Sequence, residues 1–142
     1  DPLNLVSGEN LSNVNFPLIA CKSFEKIEIL KPWGNYKNIF ISNNFIVKIL
    51  TINPKSKISL QYHSKRTEHW VVTKGTAFVT KGKKEFILKK NESTYIEIEE
   101  IHRIENKDND ELIIVEVQIG SEINEDDIVR LDDIYGRNSI KK

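Results

Sequence analysis

One cysteine, no methionine, three histidines and four prolines are all that the 142 residues hold of those types. A lone Cys21 cannot close an intrachain disulfide and excludes a cysteine-built zinc site, a usage that suits a reducing, cytoplasmic setting. No apolar run approaches the roughly 20 residues of a membrane-spanning helix, and the N-terminus carries no signal-peptide pattern. Charge of one sign is missing too: 21 Lys+Arg balance 21 Asp+Glu. Generic binding to nucleic acid or to an anionic membrane therefore lacks its electrostatic drive, although a local basic site for one phosphate is still allowed. Glycine-rich phosphate loops, nucleophile elbows and zinc-protease motifs are absent. With Asp1 first and no methionine, the chain reads as an engineered fragment or the tail of a longer protein.

What is present suits one soluble domain with a real core: 39% hydrophobic and 30% charged residues. Residues 1–25 scatter Pro, Gly, Asn and Ser among isolated apolar side chains and read as an N-terminal arm or linker; residues 26–142 form the domain. From Lys26 short β-rich runs follow one another: Lys26–Leu30, Tyr36–Ile41, Phe45–Ile52, Ile58–His63, His69–Thr73, Ala77–Lys81, Lys84–Leu88, Ser93–Ile96, His102–Glu105 and Leu112–Gln118. Turn residues such as Asn43-Asn44, Gly75, Gly82 and Asn91 separate them. No helical period intervenes, which predicts an all-β sandwich or barrel. The one helix-like piece is Asn124–Val129, where acidic residues precede an apolar pair and a short C-terminal helical segment is expected.

Two of the three histidines fall in Ser59–Thr76. Alternation along a strand puts Gln61 and His63 on one face and Leu60 and Tyr62 on the other. After a turn at Ser64–Thr67, Glu68, Trp70 and Val72 share a face, and an antiparallel return would bring Glu68 opposite Gln61 and His63. His102 lies in a later strand. Nitrogen and oxygen ligands from two or three strands suit one divalent metal ion, Zn²⁺ first, with Mn²⁺, Co²⁺ or Fe²⁺ as alternatives. The expected ligands are Gln61, His63, Glu68 and His102.

The spacing Q-x-H-x4-E-x6-G, with H-x3-N at His102 and Asn106, resembles the two motifs of the cupin superfamily, Gln61 standing where a histidine is usual. KPWGNY (31–36), SLQYH with RTEHWVV and GTA (59–77), ESTYI with IHRIEN (92–106) and EDDIVRLDDIYGR (125–137) are similar to type II mannose-6-phosphate isomerases. Such domains form the C-terminal part of bifunctional mannose-1-phosphate guanylyltransferase/mannose-6-phosphate isomerases. The resemblance implies a cupin double-stranded β-helix, a jelly-roll barrel with its metal in the mouth. It also implies interconversion of mannose 6-phosphate and fructose 6-phosphate, on the way to GDP-mannose. The chain departs from the family pattern in places: Lys65 replaces an imidazole, Glu97-Ile98-Glu99-Glu100 replaces a P-x-G-T run before Ile101-His102, and Glu122 and Asn124 fall where a Tyr and a Gly are common.

Further candidates come from strand position for Lys48, Glu116 and Gln118, which interrupt apolar runs, and from the family motifs for the four arginines. Glu116 and Lys48 are candidate proton shuttles, and Arg130 joins them as a candidate catalytic residue. Arg66, Arg103, Arg137 and Gln118 are candidates for holding a small phosphorylated sugar. For Lys48 a solvated strand-face lysine, for Glu116 an exposed edge acid and for the arginines surface salt bridges are the structural alternatives. His69 should face away from Glu68 and serve as a hydrogen-bonded or interface histidine. Trp33 and Trp70 read as packing residues, and Glu97–Glu100 as a solvated turn. Outward apolar side chains at Leu60, Tyr62 and Val71 suggest a homodimer through the sheets. A non-catalytic metal- or sugar-binding cupin module, or another metal-dependent cupin enzyme, is the competing reading, since one fold hosts many chemistries.

Overall fold

A computed structural model describes residues 28–139; the expected arm at 1–25, with Cys21, lies outside the described residues. Twelve strands follow in chain order: β1 (Glu28–Lys31), β2 (Gly34–Ile41), β3 (Phe45–Ile52), β4 (Ser56–Lys57), β5 (Leu60–Tyr62), β6 (Thr67–Lys74), β7 (Ala77–Lys81), β8 (Lys84–Leu88), β9 (Ser93–Ile96), β10 (His102–Asn106), β11 (Leu112–Ile119) and β12 (Val129–Asp132). Every strand pairing among the described residues is antiparallel. One sheet runs β1-β2-β3-β11-β6-β9, the other β12-β5-β10-β7-β8 with β4 also on β10. The two sheets face each other without joining edges into a closed barrel.

The expected all-β jelly roll is therefore present, and β3, β7, β8 and β9 have the expected bounds. The expected run Ile58–His63 shortens to β5, and the two-residue β4 lies just before it. Ile58 and Ser59 turn inward there, and the Ile58 amide still reaches Ile104 O at 3.0 Å. The helical segment at Asn124–Val129 is not found; no helix occurs among the described residues. Local polar groups explain the difference. Asn124 Oδ1 accepts the Asp126 amide at 2.9 Å, closing a side-chain turn that competes with a helix. Val129 and Arg130 then pair with Tyr62 and Gln61 as β12.

Inward side chains alternate along each strand: Lys48, Leu50 and Ile52 on β3; Glu68, Trp70 and Val72 on β6; Leu112, Ile114, Glu116 and Gln118 on β11. Across from them Val79, Ile104 and Ile58 complete the apolar half of the interior. One end of the sandwich is thus greasy, while the other is lined by buried polar groups. Asn106 closes the apolar end, its amide donating to Ile52 O, Asn53 O and Asp110 O at 2.8–3.2 Å. Gly34 ends the Pro32-Trp33 turn at φ 149°, and a Cβ there would stand 2.0 Å from Thr51 O, so only glycine lets β2 lie against β3. Leu60 and Tyr62 point outward from one sheet and Val71 from the other, so they do not form one patch.

Candidate metal centre

The polar end is built by a crossover. Gln61 faces inward from β5 and His63 follows one step past the strand's end. The chain then passes from one sheet to the other through Ser64–Arg66. Asp127 anchors that passage, its carboxylate accepting the Ser64 and Lys65 amides at 2.9 Å each. β6 begins at once, so Glu68 meets His63 across the interior rather than through the hairpin return expected from the sequence. His102, first residue of β10, is the register partner of Gln61.

Four side chains converge as a result. His63 Nε2 lies 3.0 Å from Glu68 Oε1, and His102 Nε2 lies 3.7 Å from Glu68 Oε2. Gln61 Nε2 is 3.3 Å from His63 Nε2 and 3.5 Å from His102 Nε2. Both rings are oriented from behind: His63 Nδ1 is 2.6 Å from Asp127 O, and His102 Nδ1 is 2.7 Å from Glu100 O. A carbonyl only accepts, so each Nδ1 carries the proton and each Nε2 points into the cluster. A bare Nε2 lone pair cannot sit 3.0 Å from a carboxylate oxygen without a proton or a cation between them. Ligand atoms of His63, Glu68 and His102 all lie within 4.8 Å of one another, and all three residues are buried. Carbonyl-anchored imidazoles beside a buried carboxylate fit a divalent ion. Gln61 fits once its amide turns over, because its Oε1 now accepts from Ser59 Oγ at 2.5 Å.

Electrostatics separate the two inner carboxylates. Burial would raise Glu68, yet the His63 hydrogen bond and the charges of His102, His63 and Arg66 outweigh it and hold the carboxyl well below the usual range. Glu116 goes the other way: burial, then the Glu68 charge, push it well above, and Lys48 recovers only part. His102 is lowered, burial outweighing the pull of Glu68. The Trp70 indole N–H lies between the carboxylates, 3.0 Å from Glu68 Oε2 and 2.9 Å from Glu116 Oε2.

Beside this cluster, bordered by Gln61 and Glu68, opens a cleft. Lys48 and Glu116 line it, as do Gln118, Arg66, Arg130 and Arg137. Lys48 is buried against the Tyr36 ring and pairs with Glu125. Gln118 donates to Glu116 Oε1 at 2.9 Å, while its own Oε1 has no partner among the described residues. Arg66 donates to Glu68 Oε1 (3.3 Å) and Asn124 O (2.9 Å). Arg137 is engaged by Asp133, whereas the buried Nε of Arg130 has no partner among the described residues.

Arg103 is the exception. It is not brought into the cleft, because Ile58 O and Asp132 take its guanidinium and make it a brace between β10 and β12. His69 faces outward as expected and lies on Tyr95, with ring centroids 4.7 Å apart. The turn at Glu97–Glu100 is more than solvated surface. Besides the Glu100 carbonyl, the Glu99 amide reaches His63 O at 2.7 Å, with Glu99 at φ 64°. Sequence reasoning passed over Trp70 as a polar link, Glu125, and the backbone role of Asp127. An indole carries one N–H donor, and that was the only available signal for Trp70.

Residues 21–133 match the mannose-6-phosphate isomerase C-terminal family. The alginate biosynthesis protein AlgA of Pseudomonas aeruginosa is 47% identical over 79% of the chain and 23% of its own length. The mannose-1-phosphate guanylyltransferase RfbM of Salmonella typhimurium is 41% identical over 77% of the chain and 23% of its own length. The chain thus spans about a quarter of these relatives. Among solved structures, a cupin-superfamily sugar phosphate isomerase from Silicibacter pomeroyi aligns at TM-score 0.55 with 18% identity, over 60% of this chain and 58% of that one. A double-stranded β-helix protein from Klebsiella pneumoniae aligns at TM-score 0.60 with 17% identity, over 68% and 83%. Both carry the fold expected from the sequence. No helix among the described residues is long and apolar enough to cross a membrane.

Proposed function

The chain belongs to the mannose-6-phosphate isomerase C-terminal family, and from that premise we propose that its cleft interconverts mannose 6-phosphate and fructose 6-phosphate. The observation that carries this reading is the convergence of Gln61, His63, Glu68 and His102 beside a cleft lined by basic side chains. Those four would hold one divalent ion, Zn²⁺ in the first instance, which supplies Lewis acidity toward sugar oxygens. With only Glu68 anionic among them, the loaded site keeps positive charge, and Arg66 adds to it.

Glu116 stands in the cleft wall with its carboxyl held toward the protonated form, and in this reading it carries the proton between C1 and C2. Trp70 fixes its orientation, and Lys48 opposite favours its anion when the proton leaves. Arg130 and Arg137 would hold the phosphoryl group and align the sugar. By likeness to RfbM, an upstream guanylyltransferase in the same polypeptide is part of the proposal. A coupled assay for fructose 6-phosphate tests the reading. Activity lost to a chelator and restored by one divalent metal supports it. Metal binding without isomerisation points instead to a binding module, and turnover of a non-sugar substrate to another cupin enzyme.

A further inference from the structure

One carboxylate in the cleft, Glu125, has no part in that proton transfer. Lys48 is 3% exposed in the middle of β3, with Glu116 and Asn38 as its register partners in the flanking strands. Its counter-charge is Glu125, whose side chain is 54% exposed on the connection between β11 and β12. The cation is thus fixed and the anion is the member able to leave. Glu125 can do so without unfastening its connection, because Asn124 O holds Arg66 and Asp127 O holds His63 through the backbone.

Other basic groups are already committed: Arg137 to Asp133, Arg66 to Glu68 and Asn124. The Glu125 carboxylate acts electrostatically on Lys48, Arg66, Lys31 and Arg130 together. Burial opposes its ionisation, yet Lys48, Arg66 and Lys31 hold its carboxyl below the usual range. A carboxylate therefore sits among the basic side chains of the cleft, whose Arg130 has a buried Nε with no partner among the described residues.

We infer that Glu125 is an internal counter-anion to Lys48 that the ligand's phosphoryl group, held by Arg130 and Arg137, displaces, making Glu125 a specificity-determining residue. Rejection of uncharged sugars follows, because only a ligand that brings its own anion repays the broken pair. The inference rests on the cleft being the sugar-phosphate site. Apparent affinity is lowered by the fraction of molecules in which Glu125 covers Lys48.

Calorimetric titration with inorganic phosphate and with mannose 6-phosphate tests this. Glu125→Gln is expected to tighten inorganic phosphate about tenfold, or about 1.4 kcal/mol. The double variant Glu125→Gln with Lys48→Met loses that gain. Glu125→Asp, which keeps the charge on a shorter arm, shows a smaller gain and serves if the Gln variant does not fold. Unchanged or weaker phosphate binding by the Gln or the Asp variant overturns the inference, as does a gain that survives loss of Lys48. If mannose 6-phosphate binds and turns over while phosphate shows no gain, the displacement fails and the isomerase reading stands. If neither ligand binds wild type or variant, both fall.

Discussion

Replacing Glu116 by glutamine should make the metal-free protein more stable and the loaded protein inactive. Wild type buries the Glu116 carboxyl 5% exposed, across the Trp70 indole from the Glu68 carboxylate. Its folded-state pKa is raised, so the native protein keeps a proton that the unfolded chain releases above the ordinary carboxylate range. This group's stabilisation is complete below that range and fades as pH rises toward the folded value. Glutamine is neutral throughout. Its carbonyl can still accept from Trp70, and its amide offers a donor to the unpartnered Gln118 Oε1 after that side chain turns over.

The expected gain at pH 7 is about 1–3 kcal/mol, the scale of one hydrogen bond to a buried charge, or roughly 3–10 °C in Tm. It should shrink to nothing as pH falls through the carboxylate range. Loss of the proton shuttle should lower kcat by about 10²–10⁴-fold. Melting curves in EDTA from pH 4 to 8, with the coupled isomerase assay, read both effects. A variant that is destabilised at neutral pH, or that turns over like wild type, refutes the reasoning.

Substituting His102 by Ala removes an inward Nε2 and should weaken divalent-ion binding by more than the roughly 10–100-fold typical of groups that merely orient a ligand, measured by competition with a chromogenic chelator. Glu68 behaves opposite to Glu116: its pKa is depressed, so its stabilisation is present above the ordinary carboxylate range and lost as pH falls through the folded value, a loss that Glu68→Gln should abolish in acid titrations. At Glu99, held at φ 64°, Gly should raise stability by about 0.5 kcal/mol, the relief of left-handed strain exceeding the added chain entropy. Outward Val47, Ile49, Val71, Val115 and Val117 give one sheet an apolar face, so light scattering should find a homodimer that Val71→Lys dissociates; a monomeric wild type removes the dimer.

Most of the strand runs were legible because each is short, alternates, and ends at Gly, Asn or Pro. Phe45–Ile52 and Leu112–Ile119 announce their inward faces by placing Lys48, Glu116 and Gln118 two or four residues from apolar neighbours of the same face. Period-two alternation also placed Glu68 and His69 on opposite faces correctly. What escaped was non-local. Nothing near Ser64 says that the chain changes sheets there, so Glu68 seemed to return beside β5 when it meets His63 across the interior. Acidic residues at 125–127 look like a helix start. Their partners lie some 60 or more positions upstream, at Ser64 and Lys65 for Asp127 and at Lys48 for Glu125. Two departures from the family pattern, Lys65 and Glu122, pair with each other at 2.8 Å, a link invisible until the fold brings them together. Arg103 sits within a matching motif, yet it is spent on Asp132; a motif fixes a position, not what its side chain reaches.

The central claim is that four side chains from three segments share one cation. Anomalous diffraction from a crystal soaked in Co²⁺ or Zn²⁺ tests it most directly. The account requires a single strong peak about 2.0–2.2 Å from His63 Nε2, His102 Nε2 and a Glu68 oxygen, with the Gln61 carbonyl turned toward it. A crystal that takes up metal only elsewhere, leaving that cluster without a peak, contradicts it.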